Sequence, residues 1–342
     1  MSRSFEVDVL FRFSDMKLST KLPLLIAIPA LAVVLIAGLL RLQTIYEAME
    51  EQRQVSYRSF VDEKSSAVEN WLGESQLDLM SLAENYTVAS ALKDFTSGWD
   101  AYTGSVADDL RRLYIADNPN PVGKKDELVL ADDGSDWSAA HGTYHESLRA
   151  HQRARGYYDL FLFDTRGELI YSVFKEDDFA LNFRSGKYAS SGLGEVFQEA
   201  VSMSEGQFFM TEIAPYAPSA DAPALFMATP VFENGKQLGV VAIQLPLDVL
   251  GTILSDAQIL GNSGELFLAD STGRALNDSR FENRFSTLDS LPDTAQMQTA
   301  LTGESRYFSS TTGVNGETVV AMTSSFTVPS GATWSIILEK DR

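Results

Sequence analysis

The sequence of 342 residues contains no cysteine. This absence excludes a disulfide framework, a thiolate nucleophile and any zinc or iron–sulfur site with cysteine ligands. Basic side chains are scarce as well, because 27 lysines and arginines stand against 47 acidic residues and leave a formal net charge of −20. A field of this sign repels phosphate groups, so we expect no nucleic-acid partner.

Sequence signatures of catalysis are missing too. The chain has neither a phosphate-binding P-loop nor the Gly-x-Ser-x-Gly turn of a serine hydrolase. Its three histidines are His141, His145 and His151; the first two have the i, i+4 spacing of a metal pair but no evident third ligand. Asp164 and Asp270 begin equivalent turns, where we expect them to cap backbone amides. We predict no enzyme, and therefore no catalytic residue, metal or cofactor.

One long apolar run is present. Residues 22–40 form an uncharged stretch of 19 residues, which as a helix spans roughly 28 Å and matches the hydrocarbon core of a membrane. Residues 1–41 carry five basic and three acidic side chains, whereas residues 42–342 carry 22 basic and 44 acidic ones. The basic residues before the run, Arg3, Arg12, Lys17 and Lys21, predict a cytoplasmic amino end and an exported remainder.

A helical pattern follows the apolar run. From Leu42 to about Leu92 there is no proline and one glycine, with apolar residues at intervals of three or four. We predict a stalk helix of about 75 Å that pairs with a second copy of the chain. The alternative is that its apolar stripe packs on the chain's own domain. A second helix is predicted at 100–116, a loop at 122–137 and a further helix at 138–153.

The second half of the chain contains a repeat. Residues 160–167 (LFLFDTRG) and 266–273 (LFLADSTG) share five of eight positions. Each copy reads as a strand, a turn and a strand, and comparable elements follow both. After the first come a helix at 191–204 and strands at 207–210, 224–232 and 237–245; after the second come a helix at 294–302 and strands at 305–309, 317–326 and 333–339. We predict an α+β fold with two modules, each built on a five-stranded antiparallel sheet.

Several segments carry a family resemblance. They are residues 114–126 (YIADNPNPVGKKD), 144–149 (YHESLR), 156–164 (GYYDLFLFD), 171–176 (YSVFKE), 214–219 (APYAPS), 264–270 (GELFLAD) and 278–281 (DSRF). With the order of anchor, stalk and two modules, they make residues 22–342 resemble the double-Cache sensor region of bacterial methyl-accepting chemotaxis proteins. The resemblance implies a protein anchored in the bacterial cell membrane, with two PAS-like modules outside the cytoplasm. It implies that the membrane-distal module binds a small-molecule ligand and that the proximal module relays the signal.

Two features depart from that family. The chain stops after its last predicted strand, where a second transmembrane helix and a signalling domain are expected, so we expect a fragment of a longer receptor. The family's amino-acid-binding pattern, an Arg with a Trp-Tyr cluster, is not recognisable. The output remains open between chemotaxis, a histidine kinase and a nucleotide cyclase. An anchored solute-binding protein without signalling is a further alternative.

The predicted organisation has five parts. They are a cytoplasmic segment at 1–21, a transmembrane helix at 22–40, a stalk and helical region at 42–153, a membrane-distal Cache module at 154–258 and a membrane-proximal one at 259–342.

The distal module combines polar groups with aromatic side chains, as a small-molecule pocket requires. The proximal module lacks the Tyr-Tyr-Asp sequence that opens the distal one. In a strand, Asp159 and Phe161 share one face and Tyr158 and Leu160 the other, and both faces are too apolar for the pattern to choose between them. The predicted ligand-binding residues are Tyr157, Tyr158, Asp159, Phe161, Tyr171, Lys175, Asp178, Phe226 and Thr229. Ordinary packing remains the alternative for each.

Overall fold

The computed structural model describes residues 17–342. Most of the predicted cytoplasmic segment, including Arg3 and Arg12, lies outside the described residues. The chain divides into two compact units, one that ends at Ser56 and one from Tyr57 to Arg342.

Helix α1 (Leu18–Ala83) is 66 residues long and contains the whole apolar run. Pro23 and Pro29 lie inside it without ending it. By length and composition this helix is able to cross a membrane, and side chains along residues 22–40 are almost all exposed. That exposure is expected of a helix whose solvent is lipid.

The predicted unbroken helix from Leu42 to Leu92 is wrong at its end. Helix α1 stops at Ala83, and α2 (Tyr86–Ala101) begins after a gap of two residues. The side chain of Asn85 accepts a hydrogen bond from the backbone N–H of Thr87 and so caps the new helix. This capping residue accounts for the break between α1 and α2, which the spacing of apolar residues did not predict.

The later helices also shift from the predicted bounds. Helix α3 (Val106–Arg111) runs into a π-helical turn at Arg112–Ala116, so the helix predicted from residue 100 begins later. Helix α4 (Asp136–Arg155) is capped by Ser135, whose hydroxyl accepts from the N–H of Ser138. It therefore begins inside the predicted loop.

The first sheet contains six antiparallel strands rather than the five predicted, because the short segment Ala214–Tyr216 also pairs with the sheet. Its main path has the order β2-β1-β6-β5-β3, with β4 paired to β5. The strands are β1 (Asp159–Asp164), β2 (Leu169–Ser172), β3 (Phe209–Met210), β4 (Ala214–Tyr216), β5 (Ala222–Glu233) and β6 (Lys236–Leu245). The predicted hairpin joins β5 to β6, with positive φ at both Asn234 and Gly235, as a tight turn of this kind requires.

The two faces of this sheet pack against different partners. Leu160, Leu162 and Met227 belong to the large core that also contains residues of α2 and α4. Phe161, Phe163 and Phe226 belong to a separate core with residues of α5 (Gly192–Ala200). The sequence pattern could not decide which face of β1 is buried, and the structure shows that both faces are.

The second sheet has four strands in the order β7-β10-β9-β8, rather than the five predicted. They are β7 (Glu265–Ala269), β8 (Arg306–Thr312), β9 (Thr318–Thr327) and β10 (Thr333–Asp341). Where β2 stands in the first module, Ala275 makes only an isolated bridge to Ala269. Helix α8 (Ala295–Leu301) follows, and two short helices, α6 (Asp248–Leu254) and α7 (Ala257–Leu260), precede this sheet. The fold is α+β, as predicted.

The repeated turns have the structural role expected of them. Asp164 accepts from the N–H groups of Arg166 and Glu168. Asp270 accepts in the same way from Thr272 and Arg274. Both carboxylates are also paired with an arginine guanidinium, which leaves them occupied in holding their turns.

Candidate functional site

The α5-facing side of the first sheet brings aromatic rings and polar side chains together. The rings of Phe161 and Phe226 lie 6.2 Å apart, and the ring of Tyr216 lies 4.9 Å from that of Phe226. Gln244 on β6 is the strand partner of both Asp159 and Phe226. Alternation places Asp159, Phe161 and Gln244 on this same face.

Asp178 reaches this face from the segment after β2. It is 1% exposed, and its Oδ2 accepts a 2.6 Å hydrogen bond from the hydroxyl of Tyr216. Its other oxygen, Oδ1, is buried without a hydrogen-bond partner. Burial raises the pKa of the Asp178 carboxyl to about 7, against the opposing effect of the Tyr216 hydrogen bond. An unmatched buried carboxylate oxygen is costly, which makes Asp178 a candidate contact for a ligand.

Gln244 supplies a second polar atom of this kind. The residue is 4% exposed, and its Oε1 is buried without a partner. It was not among the residues predicted from sequence. The available signal was its position as the one polar side chain in the run from Val240 to Leu245.

Asp159 is held mainly by the backbone. Its Oδ1 accepts from the N–H groups of Leu160, Val173 and Phe174. Burial, and after it the nearby charge of Asp178, raises the pKa of Asp159 well above its usual range. The residue therefore fixes the segment that leaves β2, and it adds a second carboxyl beside Asp178.

Lys175 and Tyr171 do not join this group. The Nζ of Lys175 donates to the carbonyl of Ser172 at 2.6 Å and lies 4.8 Å from the centroid of the Tyr171 ring. The rings of Tyr114 and Phe179 lie within 6 Å of the same ammonium. Burial lowers the pKa of Lys175 to about 7. These aromatic residues belong to the large core with the helices, so the Lys175 ammonium lies among them, while the charge of Asp159 acts on it and raises its pKa against the effect of burial.

His141 and His145 pack beside Tyr171. Their rings stack at 4.2 Å, and Nδ1 of His145 lies 2.8 Å from the Tyr171 hydroxyl. Burial lowers the pKa of both imidazoles, to about 3 for His145. Across residues 17–342, no group of three histidine, aspartate or glutamate side chains is placed to hold a metal ion.

The remaining three predicted residues lie apart from Asp178. The hydroxyl of Tyr157 donates to Oδ2 of Asp78 on α1 at 2.7 Å. Tyr158 is 37% exposed and donates to Glu176 at 2.7 Å. Thr229 donates to the carbonyl of Gln207 and lines a cavity of about 210 Å³ beside the end of α1.

The structure therefore brings together Asp159, Phe161, Asp178 and Phe226 from the predicted set, and it adds Gln244 and Tyr216 to them. Tyr216 was quoted in the APYAPS segment but was not chosen as a site residue. The group offers hydrogen-bond acceptors between aromatic rings. Aromatic walls with a few polar groups are what a small-molecule site requires.

Comparison with known proteins identifies the family of this chain. The family described as a Cache domain, dCache_1, matches residues 42–342. No curated protein matches the sequence. Among solved structures, the chain is similar to the ligand-binding domain of the Pseudomonas fluorescens chemoreceptor CtaA in complex with L-leucine, with 17% identity over 86% of this chain and 97% of that one and a TM-score of 0.45.

Two other solved structures are similar at the same level. The ligand-binding domain of the Pseudomonas aeruginosa PAO1 amino acid chemoreceptor PctB, in complex with L-Arg, has 18% identity over 85% of this chain and 96% of that one, with a TM-score of 0.48. The ligand-binding domain of Campylobacter jejuni chemoreceptor Tlp3, in complex with 4-methylisoleucine, has 13% identity over 79% of this chain and 92% of that one, with a TM-score of 0.39.

Proposed function

This chain belongs to the Cache domain family, and we propose that it is a membrane-anchored sensor that binds a small molecule outside the cytoplasm. The ligand site is the α5-facing side of the first sheet, which corresponds to the predicted distal module. Residues 22–40 supply the membrane anchor of a bacterial inner membrane, and the output is the control of chemotaxis.

The contact that best supports a sensor is the one between Asp78 and Tyr157. Tyr157 stands two residues before Asp159, where β1 begins, and Asp78 lies on α1, the helix that also contains residues 22–40. Asp78 is further bound by His151 Nε2 at 2.9 Å and by Arg155 at 2.8 Å. The strand that carries Asp159 and Phe161 is thus tied to the helix that leads to the anchor.

This tie suggests a mechanism for transmission. A ligand that contacts Asp178 and Gln244 favours one arrangement of β1 and β6 over another. Because Tyr157 lies two residues before β1, that preference acts on Asp78 and α1. The available free energy is the difference between the ligand's affinities for the two arrangements.

The proposal includes a homodimer through α1. Ile45, Met49 and Val55 lie on the segment just beyond the apolar run, and all three are more than half exposed. A second copy of α1 is the partner that such a helix accepts most simply, since parallel helices bury equivalent stripes against each other.

A binding measurement on the full chain in lipid nanodiscs tests the proposal. A metabolite panel should contain a compound that raises the Tm, and Phe226→Ala should abolish that shift because it removes the aromatic wall of the site. The exposed Tyr86→Ala serves as the control and should bind normally. If no compound binds, or if binding is indifferent to Phe226, the proposed site is wrong.

Chemotaxis as the output is supported by the resemblance of the sequence segments named above to chemoreceptor sensors. The same ligand-binding region joined to a histidine kinase or nucleotide cyclase domain would bind its ligand in the same way. A soft-agar assay that compares strains with and without the gene, on the compound found by the panel, separates these outputs. An unchanged response to that compound would contradict the chemotaxis assignment.

A further inference from the structure

We propose that the module built on the second sheet contains a guanidinium-binding site and that Arg284 of the same module occupies it as a built-in ligand. The site lies on the side of the second sheet that packs against α8, with Glu265 as its carboxylate and Phe281 as its aromatic wall. It belongs to a different module from the proposed ligand site on the first sheet, and it does not depend on that proposal.

The repeat places Glu265 where the first module has Asp159. The two copies begin at residues 160 and 266, an offset of 106, so Asp159 corresponds to Glu265, and each is the first residue of its strand. Gln244 is the strand partner of Asp159, and Glu339 is the strand partner of Glu265. The second module therefore has two carboxyl groups at positions that carry Asp159 and Gln244 in the first.

Glu265 is surrounded by donors from the chain itself. Its side chain is 2% exposed, and its Oε2 lies 3.0 Å from Nη1 of Arg284. Its Oε1 accepts from the hydroxyl of Ser279 and from the N–H of Arg280. All three donors come from residues 279–284, so one short segment saturates the carboxylate as a bound ligand would.

The aromatic wall suits a guanidinium group. Cζ of Arg284 lies 3.9 Å from the centroid of the Phe281 ring. The next aromatic residue, Phe285, packs edge-to-face on Phe267 of β7 at 5.4 Å. A guanidinium is planar, donates in a fork to a carboxylate and stacks on an aromatic face. Glu265 and Phe281 supply these two contacts to Arg284.

Glu339 depends on the same cation. It is 5% exposed and accepts hydrogen bonds from Gln296 at 2.6 Å and from the N–H of Val314 at 2.9 Å. Burial raises the pKa of Glu339; the charge of Glu265 also raises it, whereas that of Arg284 lowers it. Two buried carboxyl groups on neighbouring strands thus share one arginine, and its removal leaves their charge uncompensated.

The segment that carries Arg284 is a strained loop. Oδ1 of Asp278 accepts from both the N–H and the hydroxyl of Thr287, which closes the loop. Asn283 and Leu288 have φ values of 60° and 76°, in the left-handed region that residues with a side chain rarely adopt. Strain of this kind persists only where surrounding contacts hold it, and the contact of Arg284 with Glu265 is placed to do so.

A cavity gives access to the site from solvent. It has a volume of about 470 Å³ and is lined by Arg284, Phe285 and Asp289 among others. A small guanidinium compound is therefore able to reach Glu265 once the Arg284 side chain is removed. In the unaltered chain the tethered arginine is present at a high effective concentration, so a free compound does not displace it.

The test uses the full chain in lipid nanodiscs. The probe is methylguanidinium chloride at millimolar concentration, and methylammonium chloride at the same concentration is the comparison. Thermal unfolding and calorimetry are measured for the unaltered chain, for Arg284→Ala and for Arg306→Ala. Arg306 is an exposed arginine whose Cζ lies 4.8 Å from the centroid of the Phe308 ring, so its variant removes a stacked arginine outside the site.

We expect Arg284→Ala to lower the Tm by roughly 5–10 °C, because the buried carboxylates lose their cation. Methylguanidinium should bind this variant and restore most of the loss by mass action. Methylammonium should restore much less because it lacks the planar fork. The unaltered chain and Arg306→Ala should respond to neither compound.

Two further variants locate the rescue. Adding Glu265→Gln to Arg284→Ala should abolish the binding of methylguanidinium. Adding Phe226→Ala instead should leave it intact, because Phe226 lies on the first sheet. If Arg284→Ala does not fold, Arg284→Met keeps more of the side-chain volume, and Glu265→Gln in that background should raise the Tm by removing a buried carboxylate without a cation.

Three results would overturn the inference. The first is a Tm of Arg284→Ala equal to that of Arg306→Ala. The second is a folded Arg284→Ala that methylguanidinium does not stabilise, or that methylammonium stabilises equally. The third is a response that is lost with Phe226→Ala, which would place the probe on the first sheet.

Discussion

The hydroxyl of Tyr157 donates a 2.7 Å hydrogen bond to Oδ2 of Asp78, although the two residues are 79 positions apart in the chain. The bond joins a residue two positions before strand β1 to helix α1. Asp78 is nearly buried and also pairs with Arg155. The strand that carries the candidate site and the helix that contains the apolar run are thereby linked through one carboxylate.

Asp78→Ala should destabilise the protein by about 1–3 kcal/mol, because it leaves the buried Tyr157 hydroxyl without its acceptor. Denaturant unfolding of the full chain measures the loss. Asp62→Ala is the matched control, since Asp62 is an exposed aspartate on the same helix, and it should change the free energy of unfolding by less than about 0.5 kcal/mol. Equal effects of the two variants would remove any special role for the Asp78 contact.

The buried carboxyl of Asp178 predicts a pH dependence. Its pKa is raised by burial from 3.8 to about 7 in the folded chain, so the folded state holds this proton more tightly than the unfolded state does. The contribution to stability is complete below about pH 4 and is lost as the pH rises to about 7. The pKa of Asp159 is also raised, by burial and by the charge of Asp178, so this carboxyl changes the stability in the same direction.

The substitution Asp178→Asn removes the part of the pH dependence of stability that comes from the Asp178 carboxyl. Between pH 5 and pH 8 the ligand-free variant should gain stability relative to the unaltered chain, by on the order of 1–3 kcal/mol. Chemical denaturation at several pH values provides the measurement. Asp177 is the exposed neighbour, so Asp177→Asn should run parallel to the unaltered chain, and a parallel course for Asp178→Asn as well would mean that its carboxyl is already ionised at pH 5.

Two glycines allow a matched test of helix packing. A Cβ on Gly98 of α2 would stand 2.6 Å from the backbone nitrogen of Trp137 on α4, whereas a Cβ on Gly73 of α1 meets nothing within 4 Å. Gly98→Ala should therefore cost about 1–3 kcal/mol through overpacking. Gly73→Ala should stabilise by about 0.5–1 kcal/mol because alanine favours the helix. Thermal unfolding that reversed this order would contradict the close approach of α2 and α4.

The absence of cysteine makes a direct test of the dimer possible. Single substitutions Ile45→Cys and Met49→Cys lie one helical turn apart on one side of α1, and Glu47→Cys lies on another side. Oxidation of membranes that carry each variant should give disulfide-linked dimers for the first two and little for Glu47→Cys. Uniform cross-linking of all three, or none, would contradict a specific helix pair.

Sequence reasoning predicted most of the strands because strand alternation and turn residues are local signals, although neither sheet has the five strands predicted. The hairpin at Asn234-Gly235 and the repeated aspartate turns are examples, since each depends on side chains within a few residues. The break at Asn85 was missed because one capping side chain overrides a periodic pattern. The four-stranded second sheet was missed because the segment after β7 makes only isolated bridges, Ala275 with Ala269 and Arg274 with Ser290, where the repeat implied a paired strand.

The site was predicted only in part, for a similar reason. Both faces of β1 are apolar, with Leu160 on one and Phe161 on the other, so composition could not say which face meets α5. Lys175 was assigned to the pocket as a polar group among aromatic side chains, but its backbone has positive φ and its ammonium lies against the ring of Tyr114, which is distant in sequence. Gln244 was accessible from sequence as a lone polar residue in an apolar strand, although its missing partner is visible only in three dimensions.

The central claim is that a ligand on the first sheet acts on α1 through Asp78. The most direct measurement is the rate of disulfide cross-linking in the full chain that carries Met49→Cys. The rate is measured with and without a saturating amount of the compound identified by the binding panel, and again in a chain that also carries Asp78→Asn. We predict that the compound changes the cross-linking rate and that Asp78→Asn abolishes this change while the compound still binds. An unchanged rate on binding, or a response that survives Asp78→Asn, would contradict the account.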